Sequence, residues 1–248
     1  MRPVDCVAFV LRFVKIREDV SEFVVSLINP AMSLAEPQLK QACRHLRKTD
    51  PVMRSLIDAV GPPIMKLRPQ RFQMLVRSII AQQISTLAAR SIRRRFDRLV
   101  APGAPTAEKI ARLTPDEMRT AGISPQKAVY LHDLAAKVLD GTVRLRAVGR
   151  MSDDDVIAEL VQVKGIGVWT SQMFLMFCLG RPDVFPHDDL GIRNAIKSLY
   201  RLDELRDRKV SEALSAPWRP HATIASWYLW RSHDLKTGAA DGPDIFPC

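Results

Sequence analysis

Two glycines frame one residue in Leu160-Val-Gln-Val-Lys-Gly-Ile-Gly-Val-Trp-Thr170, where an apolar helix end meets a turn and then a new apolar helix. Paired glycines let backbone N–H groups converge, and such a turn at a helix N-terminus forms a small nest for an anion. A DNA phosphate can be gripped there by Gly165 and Gly167 without any side-chain charge, with Lys164 adding a nearby cation. A tight helix–helix turn also uses glycine simply for its positive φ angles, so the motif leaves two readings open. Twenty residues beyond Trp169 comes an acid, in Asp183-Val-Phe-Pro-His-Asp-Asp-Leu-Gly-Ile-Arg193. Asp153, Asp154 and Asp155 look like a metal site on paper, but they follow Ser152 and fall in a helix's first turn, where the dipole favours negative charge.

The whole chain supports an anionic partner. Its 248 residues carry 37 Lys plus Arg against 27 Asp plus Glu, a formal net charge of +10. That excess points to nucleic acid or an anionic membrane surface, and its arginine bias suits a phosphate backbone. A composition of 47% hydrophobic and 26% charged residues is that of a globular protein with a core. Cys6, Cys43, Cys178 and Cys248 are scattered, without a CxxC pair, which argues against structural zinc, an iron–sulfur cluster or a disulfide framework. No apolar run approaches the roughly 20 residues of a membrane-spanning helix. The stretch Val7 to Val14 is interrupted by Arg12 and lacks a small-residue cleavage site, against a signal peptide.

The elements that must position these residues read as short amphipathic helices separated by Pro, Gly and capping residues, so the fold class is all-α. Residues 1 to about 31 stand apart as an added helix or an upstream mis-assigned start, and Ser33 is placed to cap the helix after it. A helix over 35–48 precedes Asp50-Pro51, which opens another that Gly61-Pro62-Pro63 stops. Phe72, Leu75, Val76, Ile79 and Ile80 recur at helical spacing, as do Leu87, Ala88, Ile92, Phe96 and Leu99 after Ser85. The latter run presents Arg90, Arg93, Arg94 and Arg98 on its other face, as a solvated or a phosphate-contacting surface. Thr106, Thr114, Ser124 and Ser152 are four further helix starts, and the tail from about Thr237 is loose.

The chain resembles the helix-hairpin-helix DNA glycosylases, and within them the DNA-3-methyladenine glycosylase II family. The resemblance runs from about Asp50 to Arg231 through four ordered motifs: Phe72-Gln-Met-Leu-Val-Arg-Ser-Ile-Ile-Ala-Gln-Gln-Ile-Ser85, Lys164-Gly-Ile-Gly-Val-Trp-Thr170, Leu179-Gly-Arg-Pro-Asp-Val-Phe-Pro-His-Asp-Asp-Leu-Gly191 and Trp218-Arg-Pro-His-Ala-Thr-Ile-Ala-Ser-Trp-Tyr-Leu-Trp230. It implies two helical lobes with the DNA and a flipped nucleotide in the cleft between them. The expected organisation is an N-terminal extension over 1–33, a discontinuous lobe of 34–74 with 182–248, and a lobe of 75–181 carrying the hairpin.

By this resemblance Asp189 is the catalytic acid, since a fixed anion beside C1′ stabilises the oxocarbenium charge of a breaking C1′–N bond and can orient water. Its competing role is a helix N-cap, shared with Asp188, and His187 does not by itself justify a metal site. Trp169 stands where lyase-type relatives carry a lysine nucleophile, so the resemblance implies a glycosylase that leaves the strand uncut. An indole there can stack on a cationic alkylated purine, worth roughly 0.5–2 kcal/mol. Met173 and Phe177 share the Trp169 helix face at i+4 and i+8, as base-pocket or core residues, and Trp230 completes the pocket. Trp227 and Tyr228 are packing residues. Gln82 and Gln83 are placed at the minor groove, with Gln83 the wedge that fills the gap left by the flipped base, where relatives use leucine. Ser85 and Thr170 join Lys164, Gly165 and Gly167 as DNA contacts. Backbone carbonyls of Val161, Val163 and Ile166 are placed to hold a monovalent cation against a phosphate, with no metal required for the chemistry.

The function implied is hydrolysis of the N-glycosidic bond of alkylated purines, of the 3-methyladenine and 7-methylguanine type, in duplex DNA. The partner is damaged duplex DNA, with no cofactor, no membrane and a monomeric enzyme, cytoplasmic and nucleoid-associated in a bacterium or nuclear in a eukaryote. A glycosylase for a different damaged base and a non-catalytic hairpin module are the alternatives; the latter needs neither Asp189 nor Trp169.

Overall fold

A computed structural model describes residues 32–202 and 208–237. The added helix expected before residue 32, and the tail after Thr237, lie outside the described residues. The chain order is β1 (Met32–Ser33), α1 (Glu36–Thr49), α2 (Pro51–Val60), β2 (Lys66–Leu67), α3 (Arg71–Ala81), α4 (Thr86–Leu99), α5 (Ala107–Arg112), α6 (Pro115–Thr120), α7 (Pro125–Leu139), α8 (Asp153–Leu160), α9 (Val168–Phe177), α10 (Leu190–Leu199), α11 (Arg208–Ser215) and α12 (Ala222–Thr237). The fold is all-α. Among the described residues one small sheet pairs Met32 with Leu67 and Ser33 with Lys66, antiparallel.

Ser33 therefore does not cap a helix, which corrects the sequence expectation. Its backbone is committed to the pairing with Lys66, and α1 starts later, behind Ala35, with a proline in its first turn and no side-chain cap. The other starts are built as their residue types dictate. Asp50 Oδ1 accepts from the Val52 and Met53 N–H groups at 2.8 and 3.1 Å. Ser85, Thr106, Ser124 and Ser152 accept from the third residue of their helices, and Thr114 forms a reciprocal capping box with Glu117. Gly61 ends α2 at φ +85°, a backbone region that L side chains rarely adopt.

Helix α12 packs on α1, α2 and α10, and α1 on α2, while α9 packs on α3 and α8, and α7 on α3, α5 and α6. One continuous apolar cluster joins these groups, with Leu46, Met53, Leu75, Phe96, Leu131, Phe174, Trp218 and Tyr228 fully enclosed. Helix α9 is largely apolar, and Thr170, Ser171 and Met173 to Phe177 are buried. A helix of that kind cannot shift without breaking core contacts, so it is a stable platform for whatever its first turn carries. Among the described residues no helix is long and apolar enough to cross a membrane.

Candidate active site and DNA interface

Asp189 is the N-cap of α10, with Oδ1 accepting from the Ile192 N–H at 2.8 Å. The same oxygen accepts from Trp230 Nε1 at 2.9 Å, and Oδ2 accepts from Trp169 Nε1 at 2.8 Å. Capping and catalysis, competing roles on sequence alone, are thus compatible at one carboxylate. Three helices meet there: α10 supplies the acid, α9 supplies Trp169 from its first turn, and α12 supplies Trp230. Asp189 is largely buried at 9% exposure, yet Trp169 is 41% exposed and the next residue, Leu190, is 70% exposed. The acid therefore lies just beneath an open apolar rim.

Gly191 permits this crowding. A Cβ on it would sit 3.1 Å from Asp189 Oδ1 and 3.3 Å from Trp230 Cδ1, tighter than ordinary contacts. Phe177 packs against the Trp230 ring, centroids 6.0 Å apart, and is nearly buried. Met173 is a correction: it is 1% exposed and leaves no face for a base, because its side of α9 turns into the core. Trp227 and Tyr228 are buried packing residues, as expected.

The hairpin runs from the end of α8 through Gly165, at φ +81°, to Gly167, the N-cap of α9. The two glycines have different reasons to exist. A Cβ on Gly165 would fall 2.2 Å from the Tyr130 ring, whereas one on Gly167 would meet nothing within 4 Å. Asp133 holds the turn from below, accepting from the Lys164 N–H and from Lys137 Nζ, both at 2.8 Å. Burial opposes the charge on Asp133, but those bonds keep its carboxyl below the ordinary range. The Lys164 side chain is exposed, as is the α9 first turn at Val168. Thr170 is buried, 5% exposed, and contributes to the wall of the cavity beside the hairpin, so any DNA contact it makes is through its backbone in the first turn of α9 or through that wall.

The loop between α3 and α4 reaches the hairpin. Gln82 donates its side-chain amide to the Gly165 carbonyl at 2.7 Å, so it ties two loops together. Gln83 is exposed and sits at φ +57°, a strained value for a non-glycine residue. Ser85 accepts from the Ala88 N–H at 3.3 Å as the cap of α4. Beneath this loop lies a cavity of about 530 Å³ whose lining includes Gln82, Gln83, Lys127, Tyr130, Gly165 and Trp169. Lys127 donates to the Ile80 carbonyl at 2.7 Å, and burial lowers its pKa from the ordinary lysine value. Among the described residues no carboxylate lines the cavity. Lys127 and Tyr130 escaped the sequence reading because α7 is far from the hairpin in sequence, and only its packing brings them together.

The remaining candidates fall into place. His187 Nδ1 is 3.0 Å from Ser211 Oγ and its ring packs edge-on against Phe185. Asp155 bonds back to its cap Ser152, Asp153 pairs with Arg181 at 3.3 Å, and no metal-binding group of three forms among the described residues. On α4, Arg95 is tied to the Ala121 carbonyl and Arg93 faces Asp97 at 3.9 Å, while Arg90, Arg94 and Arg98 stay exposed.

Residues 76–220 match the HhH-GPD superfamily of base excision DNA repair proteins. The chain belongs to that superfamily. It is 34% identical over 202 residues to DNA-3-methyladenine glycosylase 1 of Schizosaccharomyces pombe, covering 79% of this chain and 89% of that one. Among solved structures it is similar to the S. pombe 3-methyladenine DNA glycosylase Mag1 in complex with abasic DNA, with a TM-score of 0.71 and 31% identity over 82% of this chain and 100% of that one. It is also similar to the DNA-3-methyladenine glycosidase of Bacillus halodurans, with a TM-score of 0.72 and 31% identity over 84% and 94% of the two chains. Within the superfamily the chain is an enzyme of the DNA-3-methyladenine glycosylase type, acting in DNA repair.

Proposed function

We propose that this enzyme hydrolyses the N-glycosidic bond of alkylated purines, of the 3-methyladenine and 7-methylguanine type, in duplex DNA and leaves an abasic site. The observation that carries this reading is Asp189, a carboxylate held by two indole N–H groups and a helix N-terminus at the edge of an open apolar rim. The nucleotide is flipped out so that its C1′ lies against Asp189 and its base against the exposed face of Trp169. As the C1′–N bond lengthens, the base takes the bonding electrons and positive charge grows on the sugar. The fixed carboxylate stabilises that charge and orients the water that adds to C1′, and the proton that water gives up passes by way of the carboxylate to solvent.

The base pocket supports a substrate that brings its own charge. Asp189, bonded to both Trp169 and Trp230, is assigned to the sugar, and a cationic alkylpurine needs no second acid to protonate it as it departs. Its π-face partner is Trp169, and the absence of an amine at that position supports release without strand cutting.

Binding is assigned to groups that do not read the base. Gly167 and the open first turn of α9 take a phosphate, with Lys164 beside them, and Gln83 enters the minor groove as the wedge. Ser85 lies at the same loop. The carbonyls of Val161, Val163 and Ile166 suit a monovalent cation bridging to that phosphate, although Val163 already accepts the Ile166 N–H at 3.0 Å. Two lobes, 34–74 with 182–248 and 75–181, form the walls of the cleft, and the enzyme works as a monomer. The relative solved with abasic DNA supports duplex DNA as the partner.

The test is to incubate the protein with methylated duplex DNA and to identify released bases by mass spectrometry. Release of 3-methyladenine and 7-methylguanine with the strand intact is expected. Binding without release would overturn the enzymatic reading, and release of only deaminated or oxidised bases from matched duplexes would overturn the substrate.

A further inference from the structure

A carboxylate has about four acceptor directions, two on each oxygen. At Asp189 three are taken among the described residues: Ile192 N–H and Trp230 Nε1 fill Oδ1, and Trp169 Nε1 takes one side of Oδ2. We propose that Trp230 is a positioning residue for the reaction, its indole N–H fixing the rotation of the Asp189 carboxylate so that the open direction on Oδ2 faces the nucleotide. The proposal rests on the glycosylase reading above and gives Trp230 a task distinct from lining a base pocket.

Three features support it. First, Trp230 is itself held: its ring packs on Phe177, and the small Gly191 lets it approach the acid closely. Second, its bond is on Oδ1, shared with the backbone of α10, whereas Trp169 holds Oδ2 from a 41% exposed position. The two indoles thus divide the work, one fixing the acid and the other facing the substrate.

Third, the chain builds the same device elsewhere and closes it. Asp50 is also a helix N-cap held by an indole, yet all four of its directions are filled: Oδ1 by the Val52 and Met53 N–H groups, Oδ2 by Trp218 Nε1 at 2.7 Å and the Tyr200 hydroxyl at 2.5 Å. The fully saturated copy ties α2 to the end of α10 and has no direction left for a ligand. The copy with one direction unfilled among the described residues is the one beneath the open rim. That difference separates a structural acid from a working one.

The experiment compares wild-type protein with Trp230→Phe, which keeps an aromatic ring and removes the N–H. Single-turnover base release from methylated duplex DNA is followed across pH, and affinity for an abasic-site duplex and the thermal midpoint are measured beside it. Loss of a hydrogen bond to a charged group should slow release about tenfold to a hundredfold. Abasic-DNA affinity should change less than about twofold, and the acid limb of the release rate should move to higher pH, because a carboxylate with fewer donors holds its proton more tightly. A benzothienylalanine at position 230, with sulfur in place of the N–H, serves if the phenylalanine variant fails to fold. Unchanged release with an unmoved acid limb would overturn the proposal, as would a loss of release fully matched by a loss of DNA affinity. A wild-type protein that bound DNA but released no base would instead overturn the glycosylase reading beneath it.

Discussion

The Tyr130 ring occupies the space that a Cβ on Gly165 would need, at 2.2 Å. The pair of hairpin glycines is therefore two unlike positions. Gly165→Ala should destabilise the fold by about 2 to 4 kcal/mol, through a left-handed backbone and an overpacked ring. Gly167→Ala, in extended backbone with open space, should leave the thermal midpoint nearly unchanged and weaken binding of damaged and undamaged duplex alike. Thermal melts and fluorescence anisotropy on both DNAs check this; a change in lesion preference for Gly167→Ala would contradict a phosphate role.

Replacing Asp189 with asparagine separates charge from capping. Asparagine keeps a good N-cap, so α10 should still form. One indole N–H then faces an amide NH₂, which should cost about 1 to 3 kcal/mol of stability. Base release should fall about 100- to 1,000-fold, while the abasic-site duplex remains bound. Release at the wild-type rate would remove Asp189 from the chemistry.

Trp169 has two roles that different substitutions can divide. Trp169→Phe keeps a stacking face but loses the 2.8 Å bond to Asp189, whereas Trp169→Ala loses both. Release should slow in both variants, and affinity for a cationic-lesion duplex should fall further in the alanine variant, by about 0.5 to 2 kcal/mol. Equal affinities in the two variants would argue against stacking.

Glu159 predicts an acid-sensitive hairpin support. Its carboxyl accepts from the Arg144 backbone N–H at 2.6 Å and from its guanidinium at 2.9 and 3.0 Å. Arg144 holds it below the ordinary value of 4.5, against the opposing effect of burial. A depressed carboxylate stabilises the fold above its unfolded value, and that contribution disappears as pH falls through the folded one. Urea midpoints at about pH 7 and about pH 3 should therefore differ more for wild type than for Glu159→Gln. Equal slopes would show that the pair does not contribute.

The helix starts were legible in the sequence because a cap is a local device: Asp50, Ser85, Thr106, Thr114, Ser124 and Ser152 each meet their partners within three residues. Ser33 misled because its residue type suits a cap while its backbone is claimed by Lys66, more than thirty residues away. The site follows the same rule. Asp189 and Trp169 stood out by motif, but the bonds between them, and the part played by Trp230, depend on three helices converging. Met173 shows the limit of periodicity, which places a residue on a face without saying whether that face meets the cleft or the core.

The bond from Gln82 to the Gly165 carbonyl has a consequence for how damage is found. It joins the loop proposed to enter the minor groove to the turn proposed to grip a phosphate. On the proposed roles the two would engage DNA together, so that a duplex yielding at the pried step comes into register with the grip and a stiff one does not. Weakly stacked lesions would then be selected by their compliance before the aromatic face of Trp169 ever tests their charge.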